Sequence, residues 1–195
     1  MNIKSVVIFC ASSPGFDGVW MESARQVGTH LAHAKITLVY GGGKVGLMGA
    51  VADAALDSNG TVIGVIPEFL DAKEVGHHGL TELIVVETMH ERKMKMSTLC
   101  EGVIALPGGF GTLEELFEMI TWAQLGLHSK PVGILNVNGF YDHLITFIDQ
   151  MVAAGLLKPE NRDMLLVSDD IADLLEKMNS YEAPNVPKWL DKGDV

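Results

Sequence analysis

The segment GVIALPGGFGTLEE, residues 102–115, decides how the rest of the chain is read. A short apolar run, 102–106, breaks into a turn carrying Gly108, Gly109 and Gly111, then passes into an amphipathic stretch. This is a buried strand, a glycine turn and a helix start, the repeating unit of parallel α/β sheets. The same alternation extends along the chain. Strands are predicted at 6–10, 36–40, 61–66, 83–87, 102–106, 132–136 and 165–167, with helices at 20–34, 47–58, 90–99, 113–125, 141–154 and 171–179.

The predicted strands are continuous apolar runs, as strands covered on both faces must be. The expected fold is therefore α/β: a doubly wound, Rossmann-like parallel sheet with helices on both faces, in one domain over residues 1–181. Residues 182–195 carry Pro184 and Pro187 without periodicity and read as a C-terminal surface tail. A chain of 195 residues, 48% hydrophobic with mean hydropathy +0.24, is long enough to bury one core of this kind. Its 25 acidic against 14 basic residues give a formal charge of -11, which repels a nucleic acid backbone. No apolar run approaches the ~20 residues of a membrane span, and no signal-peptide pattern opens the chain, so a cytoplasmic protein is expected. Cys10 and Cys100 lie far apart without CxxC spacing, the pattern of buried thiols in a reducing compartment.

In a doubly wound fold ligands bind at the carboxyl ends of the strands, and the glycines cluster there. ASSPG follows the first strand, GGGKVGLMG the second and PGGFGT the fifth. Residues 41–46, GGGKVG, formally satisfy the dinucleotide fingerprint G-x-G-x-x-G. They follow the second strand instead of the first, however, and the third strand ends in Pro67 without the expected acid. Neither loop has the Gly-Lys-Ser/Thr ending of an ATP-binding P-loop. PGGFGT offers consecutive backbone N–H groups without bulky side chains at a positive helix end, which suits a phosphate, with hydroxyls of Ser12, Ser13 and Thr112 as further donors.

Other candidate residues have competing structural explanations. Arg92 and Lys93 in TMHERKMKM open a helix, either as a solvated basic patch or as partners of the phosphate loop. Thr112-Leu113-Glu114-Glu115 has the spacing of a capping box, which by itself would account for Glu115. Met89, Met94, Met96 and the stripe Leu116, Phe117, Ile120 read as core or packing surface. His77 and His78 stand in a polar loop without carboxylates at metal-ligand spacing, so no metal is assigned.

Together, GGGKVGLMG (41–49), MHERKMKM (89–96) and LPGGFGTLEELFEMITWAQLGLHSKPVGILN (106–136) resemble the LONELY GUY (LOG) family of cytokinin riboside 5'-monophosphate phosphoribohydrolases, also labelled lysine decarboxylases. The resemblance spans roughly residues 6–175. It implies hydrolysis of the N-glycosidic bond of adenosine monophosphate or its N6-prenylated forms, releasing ribose 5-phosphate and free base without a metal or redox cofactor. It places the catalytic residues at Arg92 and Glu115, with Lys93 beside the former. Gly108, Gly109, Phe110, Gly111, Thr112, Leu113 and Glu114 then form the phosphate and ribose cradle. Glu74, Ser12, Ser13, Gly42 and Gly43 complete the substrate-binding set. CASS stands where the family pattern has Cys-Gly-Ser-Ser, and Ala11 narrows that turn. A homodimer is implied, and no lysine has a context that identifies it as a Schiff-base residue. Two other classes share parts of the pattern: a non-catalytic nucleotide or molybdenum-cofactor carrier, and a nicotinamide oxidoreductase using residues 41–46.

Overall fold

Strand β1 (Ser5–Phe9) runs through the middle of a seven-stranded, wholly parallel sheet. The computed structural model describes residues 2–72 and 76–184. The other strands are β2 (Thr37–Tyr40), β3 (Val62–Pro67), β4 (Glu82–Val86), β5 (Gly102–Ala105), β6 (Val132–Leu135) and β7 (Leu165–Ser168), in the order β4-β3-β2-β1-β5-β6-β7. Val7 lies opposite Val39 of β2 on one side and Val103 of β5 on the other. The chain therefore builds outward from β1 in one direction, returns and builds in the other, which puts the topological switch between β1 and β5.

Period-2 alternation along β1 feeds two cores. Val6, Ile8 and Cys10 pack with helices α1 (Gly18–His33), α2 (Gly46–Asp57) and α8 (Ile171–Ser180). Val7 and Phe9 pack on the opposite face with α4 (Met89–Leu99), α5 (Phe110–Leu125) and α6 (Asp142–Ala153). The inner strands are apolar on both sides because each side is covered, whereas the edge strand β4 leaves Glu82 and Val85 exposed. The doubly wound α/β expectation and all seven strands are borne out to within a residue or two. Short helices α3 (Glu68–Asp71) and α7 (Pro159–Arg162), and a 3-10 turn at Val137–Gly139, were not expected; each is too short to show periodicity. Both cysteines are buried and free. Among the described residues, no helix is long and apolar enough to cross a membrane. The tail beyond residue 184 lies outside the described residues.

Helices α1 and α2 touch through small residues. At Gly28, a Cβ would collide with the Val51 backbone carbonyl and crowd Ala55. Helix propensity alone makes Gly→Ala stabilising by about 1 kcal/mol. Here backbone cannot yield as a side chain could, so Gly28→Ala is expected to lower stability by about 1–3 kcal/mol through overpacking. Urea denaturation of the two proteins measures the sign.

Candidate active site

Three loops meet at the switch point, and backbone hydrogen bonds tie them together. Ala11 N–H donates to the Pro107 carbonyl (3.1 Å), and the Ala11 carbonyl accepts from Leu47 N–H (3.1 Å) at the start of α2. The loops after β1, β2 and β5 are thus one unit. Between them opens a pocket lined by Ala11, Ser13, Leu47 and Gly108, with Trp20 and Phe140 as its aromatic residues. Ser12 and Ser13 are both exposed, and Ser13 lines the pocket. Trp20 and Phe140 meet edge-on at 5.6 Å, and neither was singled out from the sequence. Their nearest signals were positional, Trp20 following the first glycine loop and Phe140 lying next to Gly139.

Helix α5 begins at Phe110 and not near Thr112, with Gly109 as N-cap and no capping side chain. The capping-box reading of Thr112 to Glu115 is therefore corrected. Glu115 lies in the second turn and cannot reach back to the N-cap amide. Thr112 is buried beneath Gly108, while Gly109, Phe110, Gly111 and Glu114 are exposed and Leu113 is half-buried. By contrast, Asp17, Thr88 and Asp170 cap α1, α4 and α8 with their side chains. The first-turn amides of α5 are left without a side-chain acceptor, at the positive end of a 16-residue helix. That is an anion-receptive surface.

A capping box does exist, one helix earlier. Thr88 accepts from Glu91 N–H (3.1 Å) and Glu91 Oε2 accepts from Thr88 N–H (3.3 Å), which fixes the start of α4. Arg92 follows and is only 9% exposed. Its Nε donates to the Val65 carbonyl (3.1 Å) and its Nη2 to the Gly41 carbonyl (3.0 Å). A guanidinium can be buried only with such partners. Burial pulls its pKa down, an effect that the charge of Glu115 opposes. Gly41 is required because a Cβ there would fall on Arg92 Nη2. Arg92 is thus no solvated basic patch.

Glu115 faces this guanidinium from α5. Burial pushes its carboxyl up to about 7; Arg92 and Lys93 pull it down and Glu114 and Glu118 push it further up. Among the described residues no ion pair joins Arg92 and Glu115, although each feels the other's charge. Lys93 is engaged elsewhere, its Nζ lying 2.6 Å from Glu114 Oε1 and 2.9 Å from Glu118 Oε1. Burial alone would lower its pKa, but the hydrogen bonds to those carboxylates reverse the shift.

Gly42 and Gly43 are buried, and their backbones pair with the segment after the third strand. Gly43 bridges Gly76, and the Gly42 carbonyl accepts from His77 N–H (2.8 Å). His77 and His78 do have carboxylate partners, Asp53 at 2.8 Å and Asp71 at 3.3 Å, supplied by α2 and α3 and so invisible as local spacing. Glu74 lies outside the described residues.

Fold and crevice define a class: a doubly wound α/β protein with an anion-receptive loop at its switch point and a buried carboxyl facing a buried guanidinium. A family model described as "Possible lysine decarboxylase" matches residues 48–178. The chain is 46% identical over 180 residues to a probable cytokinin riboside 5'-monophosphate phosphoribohydrolase of Oryza sativa, covering 92% of this chain and 79% of that one. It is 48% identical over 178 residues to the cytokinin riboside 5'-monophosphate phosphoribohydrolase of Rhodococcoides fascians, covering 91% and 90%. The chain belongs to this family, the LOG phosphoribohydrolases. Among solved structures, the molybdenum cofactor carrier protein of Chlamydomonas reinhardtii matches with a TM-score of 0.67 at 17% identity, over 91% of this chain and 98% of that one. The molybdenum cofactor binding protein of Rippkaea orientalis matches at 0.66 and 21%, over 90% and 94%. At those identities the likeness is one of fold.

The raised carboxyl of Glu115 has a consequence for stability. Its native pKa of about 7 lies above the ordinary 4.5, so the stability linked to it is present in full below about pH 4.5 and is lost as pH rises through 7. Glu115→Gln removes that penalty. Its Tm should match wild type near pH 4.5 and exceed it by roughly 7–14 °C at pH 8, as measured by calorimetry at the two pH values.

Proposed function

We propose that this protein hydrolyses the N-glycosidic bond of an adenosine 5'-monophosphate, either N6-modified as in cytokinin ribosides or unmodified, releasing free base and ribose 5-phosphate. The observation that carries the reading is the pairing of an uncapped helix start at Gly109 with a buried carboxyl at Glu115 on the same helix.

In this mechanism the amides of Phe110, Gly111 and Thr112 and the hydroxyls of Ser12 and Ser13 hold the phosphate. That binding energy positions the ribose. As the bond to the base breaks, positive charge builds on the ribose, and the Glu115 carboxylate stabilises it. The same carboxylate takes a proton from the attacking water. A pKa of about 7 suits a group that must be ionised yet basic at neutral pH. Arg92, held by two backbone carbonyls, keeps a fixed positive charge opposite Glu115 and favours its ionised form.

The sequence relatives with this activity in their names stand at 46–48% identity, whereas the cofactor-carrier likeness rests on fold at 17–21%. This favours hydrolysis over carriage. A cytoplasmic homodimer is part of the proposal, its contact face built from Met89 and Met94 of α4 and Phe117 of α5, which are exposed in the single chain. Light scattering should give twice the 21.1 kDa of one chain.

Base release should be fast from adenosine 5'-monophosphate or its N6-isopentenyl derivative and barely detectable from the corresponding nucleosides; equal rates would remove the role given to the α5 amides. Glu115→Gln keeps the shape but loses charge and base, so kcat should fall roughly 100-fold or more while nucleotide Kd is largely kept. Chromatographic assay of free base together with calorimetric titration separates the two effects.

A further inference from the structure

Lys93 gives two of its three N–H donors to carboxylates of α5. Its ammonium, with the side chain only 12% exposed, sits between Glu114 and Glu118. Those two residues are four apart on α5 and stack along one side of the helix, flanking Glu115. Lys93 itself is the immediate neighbour of Arg92 on α4. One ammonium therefore does two things. It ties the second turn of α5 to α4, and it offsets two carboxylates that lie beside the one proposed to react.

We infer that Lys93 is a positioning residue that acts on the reaction through Glu115, by neutralising Glu114 and Glu118 and holding them against α4. This rests on the hydrolase reading above. The groups facing Glu115 are Arg92 and Lys93 from α4, Glu114 and Glu118 from its own helix, and the Cys10 thiol at the end of β1. Arg92 alone would leave one cation against three carboxylates. With Lys93 in place, the cluster holds two cations and three carboxylates, so Glu115 can ionise near neutral pH. A substrate-ligand role makes a different demand: Lys93 would have to leave both carboxylates, stranding the half-buried Glu118 (22% exposed) without its partner.

The two roles separate in the pH profile of kcat/KM for base release. In Lys93→Met the acidic limb should move up by about half a unit or more, cutting activity at pH 6 by about 3-fold or more. The alkaline plateau and the Kd for adenosine monophosphate should be kept. Lys93→Arg, which retains the charge, should follow wild type. Glu114→Gln combined with Glu118→Gln should move the limb down, because Lys93 then acts on Glu115 unopposed. That variant also tests the inference if Lys93→Met fails to fold. An unmoved limb in the folded variants, or weakened nucleotide binding in Lys93→Met with the limb in place, would overturn the inference. If wild type releases no base from any nucleotide, the hydrolase reading fails by itself. The Lys93 effect is then read from the Glu115 carboxyl titration by NMR in wild type and variants, where the same shifts are expected.

Discussion

A guanidinium buried under the ends of two parallel strands constrains the architecture of the crevice. Arg92 surrenders its hydration for the carbonyls of Val65 and Gly41, the first within β3 and the second just beyond β2. Leaving either carbonyl or the cation unpaired would be costly, since a buried charge is tolerated only with close partners. Three local requirements follow. Position 41 must lack a side chain, α4 must start where its capping box sets it, and β2 and β3 must stay in register so that both carbonyls face the same way. The charge is then held without freedom to follow a ligand. A preorganised field of this kind stabilises charge at little reorganisation cost.

The second half of the crevice is assembled around helix α5. Its first turn lacks the capping side chain that α1, α4 and α8 possess, so its N–H groups are directed outward to the crevice. Its second and third turns carry three carboxylates; Glu115 is half-buried with its carboxyl raised by desolvation, and Glu114 and Glu118 are taken by Lys93. One helix thus carries both a positive backbone end and a carboxyl with a raised pKa. The loops after β1 and β2 close the space through the backbone of Ala11. The switch between β1 and β5 is where such a space can exist, because crossover helices there leave on opposite faces.

Much of this was legible in the chain. The inner strands are buried on both faces, so their sequences are continuous apolar runs that need no tertiary information to recognise, and the three glycine loops follow from the strand order. The motifs at 89–96 and 106–136 were sufficient to indicate the family. Less legible was where a helix begins. Thr112 to Glu115 and Thr88 to Glu91 have the same capping pattern, and only the second is used as one. Helix α5 starts at Phe110, two residues before Thr112, so Thr112 lies inside the helix and is buried.

Local spacing could fix strand identity, loop composition and the candidate residues, because these depend on periods of two to four residues along the chain. It could not fix which charges meet. Arg92 reaches a carbonyl 51 residues away, Lys93 reaches carboxylates 21 and 25 residues away, and His77 finds Asp53 across 24 residues. The aromatic wall of Trp20 and Phe140 joins segments from opposite halves of the chain. Such pairings are set by the order in which strands enter the sheet, and the raised pKa of Glu115 depends on the burial that only the packed layers supply.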